Sequence, residues 1–215
     1  MNAPFTVTPL VVGQLQSNCF LYQVSKTEAI IIDPGDDDQY IIQKLQEREL
    51  TPLAMLATHG HFDHTMAGFS LQATYNIPFY IHSDDEFLLL RMRETAMHFT
   101  EIDPGPPPIV KKYLEDNAKL EVGNVQLQVI GTPGHTPGSV TIYDKANAIA
   151  FVGDLLFSDG SIGEVTHKYS DRAAVKKSIQ KIMSLPPETV IYSGHGDAAT
   201  VEDLLEQFEW ALRSR

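Results

Sequence analysis

The chain has 215 residues, 43% hydrophobic and 20% charged, the balance of a globular protein able to bury a sizeable core. Its formal charge of −12 argues against a broad electrostatic footprint for nucleic acid, and no apolar run approaches the roughly 20 residues that cross a bilayer. Met1 to Leu15 lacks the basic and apolar regions of a secretion signal, and the single cysteine, Cys19, fits a reducing cytoplasm.

The first third reads as strands feeding a helix. Phe5 to Val12, Cys19 to Val24 and Ala29 to Ile32 are short β-branched or aromatic runs, and Asp33-Pro34-Gly35 supplies turn chemistry after the third. Asp36 with Gln39 has the spacing of a capping box, opening a helix to about Leu50. Leu53 to Thr58 reads as a buried strand, followed by a helix from Thr65 to about Tyr75. Pro78 to Ile81 is another strand, and Ser83 with Glu86 predicts a capped helix to about Phe99. The run Pro104 to Pro108 is a rigid surface connection. In the second half, Lys119 to Val122, Val125 to Ile130, Ser139 to Tyr143 and Ala148 to Val152 are strand candidates, with Gly123-Asn124 a hairpin turn. Val175, Ile179, Ile182 and Met183 recur at helical spacing. Thr189 to Tyr192 is a strand, and Leu204, Leu205, Phe208, Ala211 and Leu212 form the stripe of a last helix capped by Thr200 and Asp203. Helices with one apolar stripe must cover sheet faces. The pattern therefore predicts an α/β class chain in an αββα sandwich, two sheets packed face to face with helices outside, as one domain over residues 1–215.

The densest chemistry is His59-Gly60-His61-Phe62-Asp63-His64, directly after a predicted strand. Three imidazoles and a carboxylate in six residues is a ligand density that packing never demands, and these donors suit zinc, iron or manganese. Positions i and i+2 can point one way while i+4 and i+5 turn to a neighbouring place, so one segment can serve two adjacent cations. Three further donors follow predicted strands beside glycines: His135, Asp154 and His195. Asp33 fits a turn role and equally a hydrogen bond to a ligand imidazole. His82, His98 and His167 read as surface or capping residues, with His167 near a substrate entrance. Asp36 to Asp38 and Asp84-Asp85 suit helix N-termini. Cys19 reads as a small buried strand residue rather than a nucleophile.

Thr58-His59-Gly60-His61-Phe62-Asp63-His64, followed in order by Gly134-His135-Thr136, Gly153-Asp154 and Gly194-His195-Gly196, resembles the pattern of metallo-β-lactamase-fold hydrolases, and within them the glyoxalase II-like (hydroxyacylglutathione hydrolase-like) branch. The resemblance implies that His59, His61 and His135 bind a first metal, that Asp63, His64 and His195 bind a second, and that Asp154 bridges them. Two dications about 3.5–4 Å apart repel, so an anionic bridge between them is needed. The cofactors expected are two divalent ions, zinc first, with iron or manganese also admitted. The implied reaction is attack by a metal-bridging hydroxide on a small-molecule thioester or ester, with Asp63 and Asp154 as the catalytic carboxylates and neither nucleic acid nor membrane as a partner.

A second reading on the same resemblance is a mononuclear iron persulfide dioxygenase, which uses two histidines and the bridging-type aspartate. The loop after Asp154 bears on substrate. Glu164 stands where glyoxalase II offers a basic residue to glutathione, and a carboxylate there repels glutathione carboxylates. A β-lactamase role is disfavoured because those enzymes commonly place cysteine at the position of Asp154.

Overall fold

The structure, a computed structural model, describes residues 5–213. Six strands make the first sheet in chain order: β1 (Thr6–Val12), β2 (Ser17–Gln23), β3 (Glu28–Ile32), β4 (Thr51–Leu56), β5 (Phe79–His82) and β6 (Val110–Leu114). β1 to β3 pair antiparallel, and β3 to β6 pair parallel. The second sheet holds β7 (Lys119–Val122), β8 (Val125–Gly131), β9 (Val140–Asp144), β10 (Ile149–Gly153), β11 (Val190–Ser193) and β12 (Ala199–Thr200). Its β10–β11 pair is parallel and its other pairs antiparallel.

Side chains alternate between sheet faces with period two, and that alternation sorts the core into three layers. On β2, Cys19 and Leu21 face the helices α1 (Asp38–Glu47), α2 (Gly68–Tyr75), α3 (Glu86–Leu90) and α4 (Met92–Thr100), while Phe20 and Tyr22 face the opposite sheet. On β10, Ile149 and Phe151 enter the same middle layer, and Ala150 and Val152 meet α5 (Arg172–Met183), α6 (Val201–Leu204) and α7 (Glu209–Leu212). Three apolar layers between four structural ones are the predicted αββα sandwich.

Local differences have local causes. Asp37, not Asp36, precedes α1, and it holds a left-handed conformation with no side-chain cap; its carboxylate instead accepts from the Gly13 N–H at 2.8 Å. The helix expected from Ser83 to Phe99 breaks at Arg91, and its cap is His82, whose Nδ1 accepts from the Asp84 N–H at 3.1 Å. The predicted last helix is two short pieces, although the Thr200–Asp203 capping box forms. Leu204, Phe208 and Ala211 are buried, whereas Leu205 and Leu212 are exposed. β6 was not foreseen because its Lys111, Lys112 and Tyr113 are exposed at a sheet edge and carry no apolar alternation. No helix among the described residues is long and apolar enough to cross a membrane.

Phe151 is the hub of the middle layer, with ring centroids 5.3 Å from Phe20, 5.6 Å from Tyr22 and 5.4 Å from Tyr192. Phe151→Ala should cost about 3–5 kcal/mol in a urea titration. A loss below about 1 kcal/mol would mean that the sheets do not meet through this residue.

Candidate metal centre

The seven candidate ligands follow the C-terminal ends of four strands. β4 delivers His59 and His61, and a 3-10 turn at Phe62–His64 then presents Asp63 and His64. β8, β10 and β11 deliver His135, Asp154 and His195 from the other sheet. Because β10 and β11 run parallel, with Phe151 opposite Tyr192, their ends emerge side by side. Gly194 is required there: a Cβ on it would lie 2.1 Å from Asp154 Oδ1.

These elements bring all seven side chains together, in two groups. One ligand atom from each of His59, His61 and His135 lies within 4.8 Å of the others, and the same holds for Asp63, His64 and His195. Asp154 reaches both groups. Its Oδ2 is 3.8 Å from His135 Nε2 and 3.6 Å from His195 Nε2, and its Oδ1 is 3.6 Å from His64 Nε2. Asp33 also lies near His59 and His64. Its oxygens are, however, already engaged by the Thr58 N–H and Oγ1, each at 2.7 Å.

Each of the five imidazoles has one nitrogen against an outer partner and turns the other toward the centre, where His61 Nδ1 and His135 Nε2 lie 2.9 Å apart. His59 Nδ1 meets Thr58 Oγ1 at 3.1 Å, and His61 Nε2 meets the Tyr169 hydroxyl at 2.9 Å. His64 Nδ1 lies 3.3 Å from Asp33 Oδ2, a charge contact rather than a well-formed hydrogen bond. His135 Nδ1 donates to the Glu164 carbonyl at 2.8 Å, and His195 Nδ1 to the Gln16 carbonyl at 3.2 Å. Tying one nitrogen in this way restrains the ring, and the carbonyl partners of His135 and His195 also fix the tautomer, as suits metal-ligating histidines. Facing inward, His59 Nε2, His64 Nε2 and Asp154 Oδ1 are buried with no hydrogen-bond partner. Buried polar atoms are rarely left unsatisfied. Cations held by the two groups would satisfy all three, so the donor set fits divalent metal.

The charges divide in the same way. Burial pushes the His59 ring well below its usual pKa. Burial and neighbouring His135 bring His61 down to about 3. Both rings are therefore neutral and ready to ligate. Burial acts the same way on His64, but the carboxylates of Asp63, Asp154 and Asp33 outweigh it and raise His64 to about 10. His195 is also raised, against burial, by Asp63 and Asp154. In the metal-free site a proton on His64 thus stands where a cation would relieve the crowded carboxylates.

Asp85 is a supporting residue that sequence reasoning left at a helix N-terminus. It is fully buried, and it accepts from the Gly60 N–H at 2.8 Å, the Gly138 N–H at 2.7 Å and Thr136 Oγ1 at 2.6 Å. It so ties the loop between His59 and His61 to the loop beyond His135. A Cβ at Gly138 would meet Asp85 Cγ at 2.7 Å, which explains the glycine. Its only sequence signal was an acidic residue between the cap pattern and the helix. Of the remaining histidines, His167 lies at the edge of the cluster, its ring 5.7 Å from that of His61, while His82 caps and His98 is exposed on α4.

The family model described as Metallo-beta-lactamase superfamily matches residues 12–195. The chain belongs to that superfamily. It is similar to the hydroxyacylglutathione hydrolase GloC of Haemophilus influenzae, 30% identical over 194 residues that cover 88% of this chain and 90% of that protein. Among solved structures, the BLEG-1 B3 metallo-beta-lactamase superposes with a TM-score of 0.88 at 32% identity, covering 97% of this chain and 100% of that one. TTHA1623 in a di-iron-bound form superposes with a TM-score of 0.83 at 37% identity, covering 93% and 97%. The metallo-β-lactamase fold and the His/Asp cluster together point to divalent metal at the strand ends.

Two outcomes follow from this site. Metal uptake at pH 8 should release a proton, because His64 holds one up to about pH 10 and must give it up to ligate. Calorimetry in buffers of different ionisation enthalpy reads that proton, and affinity should fall as the pH is lowered; uptake without proton release contradicts the charge assignment. Asp85→Ala should leave two backbone donors buried and unpaired, costing about 2–5 kcal/mol of stability. A melting temperature unchanged from the parent protein would show that Asp85 ties nothing together.

Proposed function

We propose that this chain is a metal-dependent hydrolase of a small thioester or ester. His59, His61 and His135 would hold one divalent ion and Asp63, His64 and His195 a second, with Asp154 shared. Zinc is the ion proposed first, and the di-iron form of TTHA1623 supports iron as a substitute. The observation that carries this reading is the five imidazoles, each held on one nitrogen and aimed inward with the other. The hydroxyacylglutathione hydrolase activity named for GloC supports the thioester bond as the target.

When bound, such ions supply a water acidified to near neutrality and an electrophile for a carbonyl oxygen. The chain's own residues then orient and move protons. The Tyr169 hydroxyl can donate or accept, so it suits either tautomer of His61. The Glu164 carbonyl can only accept, so it keeps the proton of neutral His135 on Nδ1 and leaves Nε2 free. Asp63, with Oδ2 at 3.4 Å from His64 Nε2 and 3.5 Å from His195 Nε2, is held ionised by those rings, which suits it to ligate and to orient a bound water. Phe62 and Thr65, both buried, anchor the turn that carries it. The single buried Cys19 supports a reducing cytoplasm as the place of action.

The second group, Asp63, His64 and His195, would hold the second metal, but the one-iron dioxygenases keep most of the same ligand pattern, so the ligands alone do not separate the two readings. The likeness to BLEG-1 favours a second hydrolytic reading, a cyclic amide in place of the thioester. One assay set separates these. Purified protein should contain about two metal ions per chain and turn over neutral thioesters, with nitrocefin hydrolysed slowly or not at all. Asp154→Asn should lower kcat/KM more than a hundredfold, beyond what loss of an outer partner usually costs. Nitrocefin turnover exceeding that of every thioester would establish the cyclic-amide reading. Oxygen uptake with a persulfide and one iron per chain would establish the dioxygenase.

A further inference from the structure

The wall beside His61 is aromatic, and much of it is exposed. Tyr169, whose hydroxyl meets His61 Nε2, has its ring centroid 6.2 Å from that of His61. Phe87, at the start of α3, stands edge-on to Tyr169 at 5.4 Å and is 40% exposed. His167 stacks on the other side of Tyr169, with ring centroids 4.9 Å apart and planes 13° from parallel. A second pair lies along the same loop: Phe62, next to His61, stacks on Phe99, which is 63% exposed. Exposed aromatic faces joined to a cluster of buried ligands mark a binding wall more often than bare surface.

Charge at this wall is not arranged for an anion. Glu164 and Arg91 both act on the Tyr169 hydroxyl, together with buried Asp85. The Arg91 guanidinium lies 3.5 Å from the Glu94 carboxylate, and the Glu164 carboxylate accepts from Thr166 Oγ1 and lies 4.0 Å from His167 Nε2. Lys168 is exposed on the same loop, but no contact ties it to the Tyr169 ring, whereas Glu164 and Arg91 both act there. An anionic group placed on the rings would therefore meet the Glu164 carboxylate, and the Arg91 guanidinium beside them is already paired with Glu94. Any substrate whose carbonyl reaches the ligand cluster on this side lays its substituent against Tyr169 and Phe87.

We propose that this wall selects an uncharged apolar substituent, alkyl or aryl, on the substrate carbonyl in preference to the carboxylate-bearing glutathione. The proposal deepens the hydrolase reading and rests on it. Two substrate series test it with the metal-loaded protein: thioesters of neutral N-acetylcysteamine with acyl chains from acetyl to hexanoyl, and acetyl thioesters of neutral thiols of rising alkyl length. In one of the two, kcat/KM should climb about threefold per methylene over the first few carbons. S-lactoylglutathione should fall at least tenfold below the best neutral substrate. Phe87→Ala should flatten the climb through KM rather than kcat, and it should weaken calorimetric binding of an uncleavable hexyl thioether while metal content per chain stays the same. The series that climbs identifies which side of the carbonyl the wall takes. Flat series in both arms, or S-lactoylglutathione ahead of every neutral substrate, overturns the proposal and leaves the hydrolase reading intact. No turnover of any thioester or ester sinks the hydrolase reading itself.

Discussion

The carboxylate of Asp154 lies where two sheets deliver their ligands, and the architecture of the site depends on its reaching both groups. His64 comes from the first sheet, and His135 and His195 come from the second, yet all three lie within 3.8 Å of an Asp154 oxygen. Two cations bound in these groups would repel strongly, and a shared carboxylate would be the least costly way to keep them together. The parallel β10–β11 pair sets Asp154 beside His195, and Gly194 leaves the room that the carboxylate needs. The middle layer around Phe151 holds the sheets face to face, so their strand ends meet at one rim.

Rigidity at that rim comes from partners one step outside the ligands. Thr58, Asp33, Tyr169 and the carbonyls of Glu164 and Gln16 each restrain one imidazole. Asp85 then joins the two ligand loops through three hydrogen bonds made entirely out of water. Ring orientation is therefore set before any ion arrives, which lowers the cost of binding one. The metal-free charges point the same way. Burial lowers the pKa of His59 and His61, while the carboxylates raise that of His195 and favour a proton on His64 until a cation displaces it.

Much of this was legible in the sequence, for definite reasons. The runs Cys19 to Val24 and Ala148 to Val152 read as strands, and both appear, as β2 and β10, with side chains buried on both faces. The stripe Val175, Ile179, Ile182 and Met183 is buried on one face of α5. All seven candidate ligands converge because each follows a strand end, and strand ends share a rim in a layered α/β fold. Other features left weaker traces. β6 is an exposed edge whose pairing partner, not its own pattern, makes it a strand. Asp84 and Asp85 are adjacent and chemically alike, yet one is exposed and the other has no exposure at all. Only the approach of Gly60 and Gly138 from distant parts of the chain separates their roles. Of the two readings of Asp33, the turn role is seen in its left-handed conformation, while toward His64 it makes a charge contact in place of the expected hydrogen bond.

Anomalous diffraction from crystals of the metal-loaded protein tests the central claim most directly. Two peaks about 3.5–4 Å apart, flanking the Asp154 carboxylate, are the predicted result. One should lie among His59, His61 and His135, and the other among Asp63, His64 and His195. A single peak with the Asp63, His64 and His195 group left empty at saturating metal would contradict the account.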